Sequence, residues 1–384
     1  MANTATLTAT QHRENLTPYI EAGIDRAAKL GNRGPVTFGN DGKLTADIVD
    51  AFRRTGFYVF EGLIDKDEIA LLQADMQSLL ERAPVDNDAT TDRQGRQAFG
   101  QEFARPVYLL VEPLSDPWGG TDVLNGRHPV QMTQAAPEAT APDKVVFFMT
   151  GMCQIMDSGL RLYGHPGLLS IAASINGDDF VPYNDAIFVK QPGVGGAVSW
   201  HQDGVTHWDS PDWDEGIHGF NFQVQLYDTS AYSCLWVVPG SHKRGKLDIK
   251  QMVTANGSEY LPDAVPLHAK AGDVTIVNRQ ALHCSFVNTS SDERISLTCG
   301  FHRRTSVLGA RGALTESADT VYDEKRIDER SQVISVAIDA RAQFYSDETR
   351  FSYQPMVGRE DDLRFSPENW ETIIRDYNLK DLSI

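Results

Sequence analysis

The chain has 384 residues, sets 53 acidic side chains against 35 basic ones for a formal net charge of −18, and contains 4 cysteines. It can bury a sizeable core as one large domain or two, and its charge argues against nucleic-acid or anionic-membrane partners, which would be repelled at long range. No apolar run approaches the ~20 residues of a membrane span, the polar start Met1 to Thr10 lacks the features of a secretory signal, and Cys153, Cys234, Cys284 and Cys299 show no C-x-x-C spacing, so reduced thiols in a cytoplasmic enzyme are expected.

Residues 1–43 read as an arm with a short helix near Leu16 to Leu30, closed by Gly31-Asn-Arg-Gly-Pro35. Leu44, Ile48 and Phe52 recur at helical spacing, and Phe57 to Phe60 is a β-type run. Asp65, with Glu68 three residues on, forms a capping box that starts a helix whose apolar face is Ile69, Leu72, Met76 and Leu79. Residues 83–143 are loop-rich around one short strand at Pro106 to Val111, an insertion long enough to cover a site as a lid. Val145 to Leu162 is expected as an apolar helix and Pro166 to Asn176 as a shorter one. Seven strand candidates follow, at 186–190, 220–227, 234–238, 265–269, 274–278, 282–288 and 293–302, with no long helix between them, which argues for an antiparallel sandwich or barrel. Residues 311–384 read as a helical extension packed on the same domain, with helices near Ser331 to Tyr345 and Pro367 to Tyr377.

Within the β region, His201 and Asp203 stand two apart, so on a strand one imidazole and one carboxylate share a face. The pair alone is weak: composition gives about one or two His-x-acid pairs by chance, and His12-Arg-Glu14 and His207-Trp-Asp209 have the same form. A third ligand is expected from a late strand brought alongside by sheet closure. Alternation puts His283 and Ser285 on one face, with Leu282, Cys284 and Phe286 on the other, and in the next strand it groups Arg294, Ser296 and Thr298. A polar interior is costly unless it binds something. His201, Asp203 and His283 would make a two-His-one-carboxylate facial triad, with positions left open on Fe(II) for a cosubstrate and O₂. Arg294 and Ser285 would offer a fork and a hydroxyl to the far carboxylate of 2-oxoglutarate.

Residues 44–304 resemble the phytanoyl-CoA dioxygenase family of Fe(II)/2-oxoglutarate oxygenases. The segments that carry the likeness are Lys190-Gln-Pro-Gly193 with Trp200-His-Gln-Asp203, Leu235-Trp-Val-Val-Pro-Gly-Ser-His-Lys-Arg-Gly245, Ala271-Gly-Asp273, and His283-x-Ser285 followed by Arg294. The resemblance implies a mainly β double-stranded β-helix (a cupin-like jelly roll) spanning residues 44–310 and flanked by N-terminal and C-terminal helices. It implies Fe(II) on His201, Asp203 and His283, 2-oxoglutarate on Arg294, Ser285 and Lys190, and O₂ as oxidant. The implied reaction is hydroxylation of an unactivated C–H bond with release of succinate and CO₂; desaturation, epoxidation and ring formation would use the same residues. Halogenation is disfavoured because Asp203 is intact.

The competing reading is a β-barrel that binds a metal or small molecule without oxidation, which would have no need of Arg294 and Ser285. Trp200, His207, Trp208, Phe222, Trp236 and Arg304 are assigned to the substrate side, pointing to an apolar or ring-bearing small molecule. For Arg304, solvated charge is the competing reading.

Overall fold

The computed structural model describes residues 7–203, 218–312 and 320–381. Among the described residues, eight strands form a major sheet in the order Arg33–Gly34, Phe57–Phe60, Val274–Asn278, Gly219–Gln225, Arg294–His302, Val181–Lys190, Val145–Met149 and Tyr108–Val111. Four form a minor sheet in the order Val265–Leu267, Leu235–Val237, His283–Ser285 and Val198–His201. From Val181 to His302 the chain passes back and forth between the two sheets, which is the winding of a jelly roll. The sheets lie across a shared cavity and, among the described residues, no strand pairing closes them into a barrel.

Strand periodicity sorts the side chains. In Arg294–His302, Ile295, Leu297, Cys299 and Phe301 enter the main apolar core, while Arg294 and Thr298 face the cavity. That core joins the outer face of the major sheet to Ala46–Thr55, Lys66–Glu81, Pro166–Asn176 and Glu324–Phe344, four helices with apolar stripes. The minor sheet has its own cover. A helix spans Ala9–Ala28, starting earlier than expected because Thr8 and Gln11 close a capping box, and it packs Leu16 and Ile20 against Trp200, Trp236, Cys284 and Phe286. Tyr19 stacks on Trp236 with ring centroids 4.6 Å apart, and a Cβ at Gly23 would stand 2.6 Å from that indole, so glycine permits the approach. The amino-terminal arm is thus part of the packed fold. All four cysteines are buried and free.

Two local expectations differ from the structure. Val145 to Leu162 is not one helix: Val145–Met149 is a strand paired with Tyr108–Val111 and Val181–Lys190, Gly151 turns at φ 78°, and short helices Met152–Ile155 and Asp157–Tyr163 follow. A strand apolar throughout shows no alternation, so its pattern is also that of a buried helix. Asp65 does cap Lys66–Glu81, accepting from Glu68 N at 2.8 Å, but the Glu68 carboxylate does not complete the box. It accepts instead from Arg341 Nη1 (2.6 Å) and Nη2 (3.0 Å), and Arg341 also reaches Glu348. This buried pair ties the carboxy-terminal helix to the helix after Phe57–Phe60. Arg341→Ala is expected to lower stability by about 3–5 kcal/mol, because it leaves Glu68 buried without its cation; urea unfolding of the variant against wild type measures this.

Candidate active site

His201 ends the strand Val198–His201 and lies directly opposite His283 in the cross-strand register, with ring centroids 4.0 Å apart. Asp203 follows just past the strand end, its Oδ1 3.6 Å from His201 Nε2. One ligand atom from each of His201, Asp203 and His283 lies within 4.8 Å of the others, and all three residues are buried. His201 Nδ1 is 2.8 Å from Ser199 O, and His283 Nδ1 is 2.8 Å from Ala281 O. A carbonyl only accepts, so both Nδ1 atoms carry the proton and both Nε2 atoms keep a lone pair for a metal. Burial holds both imidazoles below the usual histidine range, His201 well below it, and so in the neutral form a ligand needs. Burial works against the charge on Asp203, but Arg279 and Arg127 outweigh it and hold the carboxyl at about 2. Two neutral imidazoles and one carboxylate on a buried wall fit a divalent iron.

Asp203 is held on both oxygens. Oδ1 accepts from Arg127 Nη1 at 3.0 Å, and Oδ2 accepts from Asn221 Nδ2 at 2.8 Å. The amide of Asn221 is oriented in turn by Arg279 Nη1, 2.8 Å from its Oδ1. Arg127, Asn221 and Arg279 were not legible as site residues: Arg127 sits in a loop without periodicity, and the other two carry no motif.

A cavity of about 510 Å³ opens from the three candidate ligands. Ser285 and Arg294 line it beside His283, so the structure brings together the metal candidates and two of the three cosubstrate candidates. The guanidinium of Arg294 is buried, lacks an acidic partner among the described residues, and makes only long contacts to neutral acceptors, Ser296 Oγ (3.2 Å) and Gln223 Oε1 (3.4 Å). Burial lowers its pKa to about 10, so it remains a cation near neutral pH. Lys190 pairs with Arg294 across the strands but does not line the cavity; its Nζ donates to Phe286 O at 2.6 Å, and burial lowers its pKa well below the usual lysine value.

The aromatic wall comes from residues other than those expected. Trp118, Phe148 and Phe188 line the cavity with Leu109, Val123 and Leu124, whereas Trp200, Phe222 and Trp236 are fully buried in the apolar clusters. Trp200 neighbours His201 on its strand and so points to the opposite face, where Nε1 donates to Glu259 O. Arg304 lies away from the cavity and pairs with Glu324. His207, Trp208 and Asp209 lie outside the described residues. Trp118, Val123, Leu124 and Arg127 all belong to the 83–143 insertion, which therefore supplies one side of the cavity, and Asn378 and Asp381 bring the carboxy-terminal extension to another.

A jelly roll with two histidines, one carboxylate and a buried arginine in one cavity is the arrangement expected of a non-haem iron, 2-oxoglutarate-dependent oxygenase. The phytanoyl-CoA dioxygenase (PhyH) family model matches residues 133–296, so this part of the chain is similar to that family. The chain is 25% identical over 270 residues to a phytanoyl-CoA dioxygenase of Arabidopsis thaliana, covering 67% of this chain and 88% of the relative. It is 24% identical over 274 residues to phytanoyl-CoA dioxygenase domain-containing protein 1 of Danio rerio, covering 65% and 87%. Among solved structures, EctD from S. alaskensis with 2-oxoglutarate and 5-hydroxyectoine aligns at 18% identity and TM-score 0.47 over 71% of this chain and 81% of that one. The donor set and the family-model match support an enzyme that would hold Fe(II) and 2-oxoglutarate in this cavity. No helix among the described residues is long and apolar enough to cross a membrane.

Proposed function

We propose that the protein hydroxylates an unactivated C–H bond of an apolar or ring-bearing small molecule in the cytoplasm, using iron on His201, Asp203 and His283 and 2-oxoglutarate on Arg294 and Ser285. The observation that carries this reading is the shared cavity: the three ligands, a buried arginine lacking an acidic partner among the described residues, and a wall of Trp118, Phe148 and Phe188 all face one space. The four buried free cysteines are in keeping with a reducing compartment.

Bound there, Fe(II) with 2-oxoglutarate and O₂ supplies an oxidant able to take a hydrogen atom from carbon; one oxygen atom goes to the alcohol and one to succinate, with CO₂ released. The chain's own residues set the geometry. Ser199 O and Ala281 O fix the ring orientations of His201 and His283. Arg294 and Ser285 seat the distal carboxylate. Trp118 and Phe188 give the substrate an apolar bed that excludes water from the reacting carbon. The 83–143 insertion serves as the cover.

The test is a panel of apolar and ring-bearing compounds under ¹⁸O₂ with Fe(II) and 2-oxoglutarate. A substrate should release one succinate per product and place one ¹⁸O in it. Succinate release with a product that lacks the label would replace hydroxylation by desaturation or ring formation.

A further inference from the structure

We propose that Arg127 is a positioning residue for the iron-binding carboxylate, delivered by the insertion that covers the cavity, so that iron binding and docking of this loop depend on each other. The inference rests on His201, Asp203 and His283 holding the metal.

The Arg127 side chain is 7% exposed, and among the described residues its one side-chain hydrogen bond goes to Asp203 Oδ1, while its Nε is buried without a partner there. With Asn221 on Oδ2, each carboxylate oxygen has one donor, so the plane of a group whose terminal torsion is otherwise broad is set. The same loop grips the metal-binding strand at a second place. Asp116 accepts from Gly119 N (3.0 Å) and Met132 N (2.8 Å), which shapes the loop, and it also accepts from Ser199 Oγ at 3.3 Å. His128 Nδ1 shares Ser199 O with His201, at 3.1 Å, and the two rings lie 4.2 Å apart. The span from Asp116 to Met132 is therefore fastened to Ser199, His201 and Asp203, two of them ligands.

A bland alternative makes the opposite prediction. If Arg127 only neutralises Asp203, it competes with a divalent cation for that charge, and its removal should tighten iron binding. If it orients the carboxylate, removal should weaken iron binding, and by linkage iron should stabilise the docked loop.

The experiment is anaerobic Fe(II) titration of the full chain as wild type, Arg127→Met and Arg127→Lys, with thermal unfolding of each metal-free protein and hydrogen exchange over residues 116–132 with and without Fe(II). Arg127→Met should raise the Fe(II) dissociation constant about 10- to 100-fold, the usual effect of losing a group that orients a ligand. Arg127→Lys should recover part of this, since an ammonium keeps the charge and one donor but loses the planar fork. Fe(II) should slow exchange over 116–132 in wild type and not in Arg127→Met. Unchanged or tighter iron binding in Arg127→Met overturns the proposal, as does iron-independent exchange in wild type. Should Arg127→Met fail to fold, Arg127→Lys decides: weaker binding with an unchanged metal-free melting temperature supports the proposal, and wild-type affinity overturns it. A wild type that binds no Fe(II) defeats the ligand assignment instead.

Discussion

His201→Ala is expected to abolish stoichiometric Fe(II) binding and all 2-oxoglutarate turnover while the fold persists. The side chain is one of three convergent candidate ligands, and a site reduced to His283 and Asp203 could not complete the facial set. It faces the cavity and belongs to neither large apolar cluster, so its loss removes no core packing. Asp203→Ala should also abolish iron binding, but it is the less clean variant. It leaves Arg127 buried without its anion, at a cost of about 3–5 kcal/mol. Anaerobic titration with circular dichroism of the metal-free protein separates the two effects. Wild-type iron affinity in His201→Ala would remove this histidine from the site.

Arg294→Ala should leave iron affinity nearly unchanged and raise the dissociation constant for 2-oxoglutarate by roughly thirtyfold to several thousandfold. Truncating one partner of a buried charge-assisted pair costs about 2–5 kcal/mol, and about 1.4 kcal/mol is a factor of ten. The size follows from the surroundings: the carboxylate of the ligand would be the only strong acceptor this guanidinium meets among the described residues. Arg294→Lys should recover part of the affinity, because an ammonium cannot make the two-pronged contact. Ser285→Ala should cost less, about 1.5–3 kcal/mol, as one hydrogen bond to a charged group. The readout is the charge-transfer band that appears when the keto acid chelates bound iron. Unchanged affinity in Arg294→Ala would displace the arginine from this role.

What could be read from the sequence followed from period-two alternation and turn chemistry. Phe57–Phe60, Pro166–Asn176 and Val274–Asn278 have the expected limits, and the two faces of Arg294–His302 separate as alternation requires. The run Val145 to Leu162 failed because a strand buried on both faces has no period. Proximity in sequence misled for Trp200: adjacency to His201 suggested the cavity, whereas alternation sends neighbouring side chains to opposite faces. Arg127 and Trp118 were hidden for another reason. Loop residues reach a site through tertiary docking, and nothing local in 83–143 distinguishes a side chain that touches Asp203 from one in solvent.

The register of the minor sheet limits how this chain can vary. His201 and His283 are direct cross-strand partners, and the irregularity in their pairing falls between His283 and Ser285, beyond the histidine. Insertion or deletion of one residue within either strand would turn an imidazole from the cavity into the apolar cluster around Trp200 and Trp236. Changes of length are thus confined to the connections, while these two short strands can change only by substitution. On this scaffold a change of substrate is expected to come through loops such as 83–143, with the spacing from Val198 to His201 and from His283 to Ser285 kept.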